Sequence, residues 1–248
     1  MTKAASFRAL HRPGDPLLLF NIWDTGSAGV VAEAGAKALG TGSWSVAAAH
    51  GYGDGEEMPL DLAIANLERI VRAVDVPVTI DLEGGYGRAP GTVAATARRA
   101  LDAGAVGCNV EDRVIGGDGM YAPAEQAARI AAIRAGAPAD TFFINARTDL
   151  FLQARPDEHA ALVEAALARG RAYAEAGADG FFVPGLIDER LIARVCADTA
   201  LPVNIMVWPG TPPLARLAAL GAARISHAGA PWRVAMDALK AAAEQLYA

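Results

Sequence analysis

The stretch Val78-Thr79-Ile80-Asp81-Leu82-Glu83-Gly84-Gly85-Tyr86-Gly87, continued through Gly91 to Ala103 into Gly104-Ala105-Val106, contains the unit from which the chain is built. A β-branched run predicts a strand, the glycines predict a turn, and the alanine-rich segment predicts a helix. The Ala103-Gly104-Ala105 step suits a left-handed helix cap leading into the next strand.

The same phrase recurs on both sides. Strands are expected at Leu17 to Trp23, Ala38 to Val46, Val78 to Leu82, Val106 to Val110, Thr141 to Ala146, Gly180 to Val183, Val203 to Val207 and Ala223 to Ser226. Helices are expected at Ser27 to Ala34, Leu60 to Val74, Gly91 to Ala103, Pro123 to Ala135, Pro156 to Ala176, Asp188 to Asp198, Pro212 to Leu220 and Pro231 to Leu246. Strict alternation calls for a parallel sheet, and eight units call for closure into a (β/α)8 TIM barrel. An open doubly wound sheet is the rival. Against it, Asp24-Thr25-Gly26-Ser27-Ala28-Gly29 after the first strand lacks the spacing of a nucleotide-binding glycine fingerprint. No linker or low-complexity segment divides residues 1–248, so a single barrel domain is expected.

Composition agrees with a compact protein: 53% of residues are hydrophobic and 20% charged, enough apolar surface for a large core. A formal charge of −6 argues against nucleic acid or anionic lipid as partner and favours a small molecule. No run approaches the roughly 20 apolar residues that span a bilayer, and Met1 to Leu10 lacks a signal-peptide core, so a cytoplasmic location is expected. Cys108 and Cys196, the two cysteines, lack metal-ligand spacing and read as reduced, buried hydrophobes.

Active groups in such barrels sit at the C-terminal ends of strands and in the loops beyond them. Four consecutive strand ends there carry charge: His50-Gly51-Tyr52-Gly53-Asp54-Gly55, Asp81-Leu82-Glu83, Glu111-Asp112-Arg113 and Asn145-Ala146-Arg147-Thr148-Asp149. Strand parity sends Asp81 and Glu83 to one face, with Ile80 and Leu82 on the other. Carboxylates converging on a barrel axis repel unless a cation or a shared proton intervenes, and oxygen ligands of this kind suit Mg2+ or Mn2+. Asp112 reads as a helix cap or solvated loop residue. Arg147 has two readings, a structural ion pair with the acids or a bidentate grip on a substrate carboxylate.

At these residues the chain resembles the isocitrate lyase and phosphoenolpyruvate mutase family over nearly its whole length. The matching phrases are Asn21-Ile22-Trp23-Asp24, Thr41-Gly42-Ser43-Trp44, Gly51-Tyr52-Gly53-Asp54, Asp81-Leu82-Glu83-Gly84-Gly85-Tyr86-Gly87, Val110-Glu111-Asp112 and Asn145-Ala146-Arg147. The resemblance implies a barrel that assembles as a dimer or tetramer by exchange of a C-terminal helix. It implies Mg2+ touched directly by Asp81 and held largely through water by Asp54, Glu83 and Glu111. Backbone amides near Ser43 and Trp44 would receive the substrate carboxylate, and Arg147 would face the same 2-oxo acid. Trp23 and Asn204 complete the candidate substrate-binding set, and Tyr52 and His227 join Arg147 as candidates for the chemistry.

Two departures narrow the activity. Glu83 stands where the family commonly has Asp, one methylene shorter. The loop Arg113-Val114-Ile115-Gly116-Gly117-Asp118-Gly119-Met120-Tyr121-Ala122 has no Cys, Lys or His, so it lacks both the Lys-Lys-Cys-Gly-His motif of isocitrate lyases and the Lys and Asn of a phosphonopyruvate mutase gate. Cys108 cannot substitute, because its parity is opposite to that of Glu111. The expectation is a Mg2+-dependent carbon–carbon lyase or decarboxylase acting on a small 2-oxo or 2-hydroxy (di)carboxylic acid through a pyruvate-type enolate. The alternatives are a phosphonopyruvate hydrolase or mutase, and a protein that binds 2-oxo acids without turnover.

Overall fold

The structure, a computed structural model, describes residues 1–248. In chain order the strands are β1 (Leu17–Leu19), β2 (Leu39–Gly40), β3 (Val78–Asp81), β4 (Gly107–Glu111), β5 (Phe143–Arg147), β6 (Gly180–Phe182), β7 (Val203–Met206) and β8 (Arg224–Ser226). The helices are α1 (Lys3–Ala9), α2 (Thr25–Glu33), α3 (Ser43–Ala49), α4 (Leu60–Ala73), α5 (Pro90–Asp102), α6 (Pro123–Gly136), α7 (His159–Glu175), α8 (Glu189–Asp198), α9 (Leu214–Ala219) and α10 (Ala230–Tyr247). All strand pairs are parallel, in the order β1-β8-β7-β6-β5-β4-β3-β2. A bridge between Ile22 and Thr41 joins the two ends of the sheet, so the barrel is nearly closed, as the alternating pattern predicts.

The main core lies between the sheet and its helices. Ile80, Cys108, Val110 and Ile144 point outward from β3, β4 and β5 and meet Ile64, Leu67 and Ile70 of α4 and Val93, Ala97 and Ala100 of α5 in one cluster. The spacing of those helical residues places them on a single face. Cys108 is fully buried there, and burial pushes its thiol far above the usual range, in line with its reading as a small hydrophobe.

The barrel interior is polar instead. Asn145 donates to Asn109 at 2.9 Å and to Asn204 at 3.1 Å, and Asn204 donates to Ser226. Arg224 reaches Asn109 from the far wall. Below this layer α1 closes the bottom: Phe7 joins Leu17, Leu19, Ala38, Val106 and Phe143 in a second cluster, with His11 stacked on Phe143 at 4.1 Å.

His11 carries a testable consequence. Burial and the nearby Arg224 charge lower its pKa from 6.5 to about 3, and its Nε2 has no partner. Between those two values the unfolded chain binds more protons, so stability rises with pH across that window and is complete above 6.5. On acidification from pH 7 to pH 5, His11 should cost about 2 kcal/mol of unfolding free energy. Parallel denaturant titrations of wild type and His11→Phe should therefore show their stability difference shifting by that amount in favour of the variant.

Three local expectations change. The run Ala38 to Val46 yields only a two-residue strand, because Gly42 caps the new helix α3, whose Ala47-Ala48-Ala49 favours helix over sheet. Helix α1 is too short to show a periodic pattern, and the Thr2 side chain caps it by accepting from the Ala5 amide. Asp112 is neither cap nor solvated: it is fully buried and accepts from Arg169 Nη1 (2.9 Å), Tyr173 Oη (2.8 Å) and the Asp149 amide (3.0 Å). Helix α10, the last element, buries only Pro231, and no helix is long and apolar enough to cross a membrane.

Candidate active site

A cavity of about 240 Å³ opens at the C-terminal end of the barrel, where the strand-end rule places it. It is lined by Asp81 at the end of β3 and Arg147 at the end of β5, and by Asp54 from the loop between α3 and α4. Ser43 and Trp44, the first residues of α3, form one side; Gly42 supplies no capping side chain, which leaves the first amides of that helix without one. Leu152, Met206 and Trp208 also line it, and Arg233 lies over the Trp44 ring at 5.0 Å. A smaller recess of about 20 Å³ adjoins it, sharing Ser43 and Asp81 and adding Glu83 and Tyr86; that volume suits a water-sized occupant.

The acids here are electrically strained. Glu83 is raised to about 7 by burial and then by the charges of Asp81 and Asp54, despite two amides that favour its ionised form. Desolvation and the Asp81 charge likewise raise Asp54. Asp81 itself accepts from Ser43 Oγ at 3.1 Å and from the Glu83 amide at 3.3 Å, and no cationic side chain pairs with it. Hard oxygen donors carrying excess negative charge are the donor set that Mg2+ or Mn2+ accepts. No three of these side chains converge on one point as an all-protein cage would require. Such geometry fits an ion with one direct carboxylate ligand and water between it and the rest.

Glu83 also has a structural role that strand parity does not reveal. Its backbone leaves the strand for a left-handed conformation (φ 52°), and its Oε2 accepts from the amides of Gly55 and Glu56 at 2.7 and 2.8 Å. Glu56 in turn accepts from the Tyr86 amide at 2.7 Å, so the loops after β2 and β3 hold each other through exchanged carboxylates. Fully buried Arg129 of α6 donates to the carbonyls of Gly84 and Gly87 and stacks on Tyr121 at 4.1 Å. Neither Glu56 nor Arg129 is marked in the sequence, since each acts on backbone brought near only by folding.

Arg147 is fixed on both sides. It meets Glu111 at 2.8 Å and grips Asp149 through Nε and Nη2 at 2.6 and 3.0 Å. Burial lowers its pKa, but Glu111, Asp149 and Asp81 together outweigh burial and hold it firmly protonated. The structural ion pair is therefore present, and Arg147 still lines the cavity. Asp149 was legible in principle, because it lies two residues beyond Arg147.

Four other expected residues lie elsewhere. Trp23 packs against Val46, Ala47 and Met58 behind α3. Asn204 is buried in the interior layer, its amide committed to Ile205, Arg224 and Ser226. His227 bonds the Leu19 carbonyl and packs on Phe20, lining a separate outer groove. Tyr52 is exposed and borders neither the cavity nor the recess. The loop after β4 folds on itself through an Arg113–Met120 bridge and rests Ile115 over Gly84, and none of its residues lines the cavity or the recess.

Comparison with known proteins agrees with this geometry. The phosphoenolpyruvate phosphomutase family pattern matches residues 7–247. A crystal structure from Burkholderia cenocepacia J2315, bearing a provisional phosphonomutase name, is 54% identical with a TM-score of 0.95, covering 98% of both chains. The 2-methylisocitrate lyase of Escherichia coli K12 is 31% identical over 98% of this chain and 82% of its own length. The phosphoenolpyruvate phosphomutase of Streptomyces hygroscopicus is 31% identical over 93% of this chain and 75% of its own. The chain therefore belongs to the phosphoenolpyruvate phosphomutase family and is an enzyme of the superfamily that joins those mutases to the isocitrate-type lyases.

Proposed function

We propose that this protein is a Mg2+-dependent carbon–carbon lyase or decarboxylase for a small 2-oxo or 2-hydroxy acid. The observation that carries the reading is an under-compensated carboxylate cluster around Asp81 facing the same cavity as a rigid guanidinium, Arg147. Asp81 would hold the ion directly, with Asp54, Glu83 and Glu111 around it through water. Bound there, Mg2+ would supply the positive charge that stabilises a pyruvate-type enolate as the adjacent bond breaks.

The remaining work falls to the chain. The amides of Ser43 and Trp44 receive the substrate carboxylate, and Arg147, held in place by Asp149, presents a fixed positive charge beside it. The large cavity has no His, Cys or Tyr in its walls. Glu83 lies in the adjoining recess, and an ion held at Asp81 would offset the repulsion that raises its proton affinity and keep it ionised.

Calorimetry with oxalate, a planar mimic of the enolate, tests the site: binding is expected with Mg2+ present and lost on chelation. A turnover screen of 2-oxo and 2-hydroxy acids then tests the reaction, and activity unchanged by EDTA would sink the reading. A phosphonopyruvate hydrolase or mutase is the second reading, favoured by the name of the 54% identical relative. Release of phosphate from phosphonopyruvate, or its conversion to phosphoenolpyruvate, would select it.

We further propose that copies of the chain exchange α10. Leu239 and Leu246 on that helix are 64% and 76% exposed, while Leu18 and Phe20 of the first strand region lie bare along an apolar groove of about 620 Å³. Each surface lacks the cover that the other can supply. Leu239→Glu is expected to convert an oligomer into monomers in sedimentation analysis; an unchanged mass would count against the exchange.

A further inference from the structure

The inward side chains that end the strands divide the barrel mouth into two halves. Ile80, Val110, Ala146, Phe181, Ile205 and Ile225 belong to the outer core, so alternation turns the residue after each of them toward the axis. Those residues are Asp81, Glu111 and Arg147, which end β3, β4 and β5, then Phe182 and Met206, which end β6 and β7, and Ser226, which ends β8. Charge fills one half, and carbon begins where Arg147 lies over the Phe182 ring at 5.7 Å. In a ring of eight strands β7 stands four places from β3 in either direction, so Met206 sits across the axis from Asp81.

The loops continue the apolar half toward solvent. Trp208, two residues beyond Met206, and Leu152, in the loop after β5, line the same cavity and are 45% and 37% exposed. None of these three side chains carries charge, and the cations of the cavity are placed elsewhere. Arg147 is matched by Glu111 and Asp149, and Arg233 lies over Trp44 in the first turn of α3. Large apolar side chains left bare in a cavity gain when a carbon chain displaces water from them. A carboxylate brought against them loses hydration and finds no partner.

We propose that this wall is the subsite for an apolar substituent, so that the site selects 2-oxo or 2-hydroxy monocarboxylic acids with an alkyl or aryl tail over acids that end in a second carboxylate. The inference rests on the proposed Mg2+ and 2-oxo acid site and names its substrate class. With the head held at Asp81 and the α3 amides, the tail runs from C3 across the axis to Met206 and Trp208.

Calorimetry in Mg2+ tests this with a chain-length series: pyruvate, 2-oxobutanoate, 2-oxopentanoate and 2-oxohexanoate. Oxalate, too short to reach the wall, reports the metal-side site alone, and every affinity is read relative to it. Each added methylene is expected to tighten binding to wild type by about twofold to fourfold, the upper figure corresponding to full burial of the group. 2-Oxoglutarate, which differs from 2-oxopentanoate in ending in a carboxylate, is expected to bind at least about tenfold more weakly than it. Trp208→Ser and Leu152→Ser remove apolar surface from separate, exposed loop positions, and at least one should flatten the dependence on chain length. Affinity that does not rise along the series, 2-oxoglutarate binding as tightly as 2-oxopentanoate, or a chain-length dependence that survives in both variants would each overturn the subsite while leaving the metal site standing. Failure of oxalate to bind wild type overturns the underlying site and this inference with it.

Discussion

Asp81→Ala is expected to lower Mg2+-dependent turnover by at least about a thousandfold, equivalent to roughly 4 kcal/mol of lost transition-state stabilisation. Asp81 is the one acid that faces both the cavity and the recess, and no cationic side chain forms a salt bridge with it, although its charge is felt favourably by Arg147 and Arg224. Glu83 and Asp54 both feel its charge as repulsion. Removing it relieves that repulsion but also withdraws a favourable charge from buried Arg147 and Arg224, so thermal unfolding without Mg2+ should change little. Wild type should gain melting temperature on addition of Mg2+ and oxalate, and the variant should not. A variant that kept both its turnover and its ligand-induced shift would remove Asp81 from the metal site.

Asp112→Ala should give the opposite pattern, a loss of about 3–5 kcal/mol of stability, or roughly 10 °C in melting temperature. The substitution strands the buried Arg169 guanidinium and removes the acceptor of the Tyr173 hydroxyl. It also frees the Asp149 amide, and Asp149 is what fixes Arg147. Activity measured well below the melting point should fall more modestly than in Asp81→Ala, through weaker binding of the substrate carboxylate. Asp112→Asn preserves shape but not charge and should fall between the variant and wild type. Melting within about 2 °C of wild type for the alanine variant would show that the buried pair is not holding the two strand ends together.

These outcomes depend on how adjacent residues of one strand end acquire opposite roles. Glu111 and Asp112 are neighbours in sequence, yet Glu111 meets Arg147 beside the site while Asp112 turns outward to Arg169 on α7. Alternation predicts that they diverge; it does not say that a cation waits on the outer side. The same limit applies to Glu83. Alternation assigns it to the Asp81 side, but a left-handed backbone and two amides from another loop set where its carboxylate lies. His227 shows the limit most plainly, since a strand-end position put it near the mouth and the fold turned it to an outer groove; Asn204, a candidate for the substrate, is committed to the interior layer.

The sequence by itself determined the barrel, its eight units and the set of strand ends that bear charge, because hydrophobic period, glycine caps and parity are local properties that every unit repeats. It also determined that the loop after β4 lacks a cysteine, since composition needs no coordinates. Tertiary structure alone decided which charges are matched. Arg147 is balanced by Glu111 and Asp149, Asp112 is absorbed by Arg169, and Asp81 is left without a salt-bridge partner. Electrostatic balance falls off with distance in space, not along the chain, so it is fixed only when residues tens of positions apart, such as Asp112 and Arg169, meet at one end of the barrel.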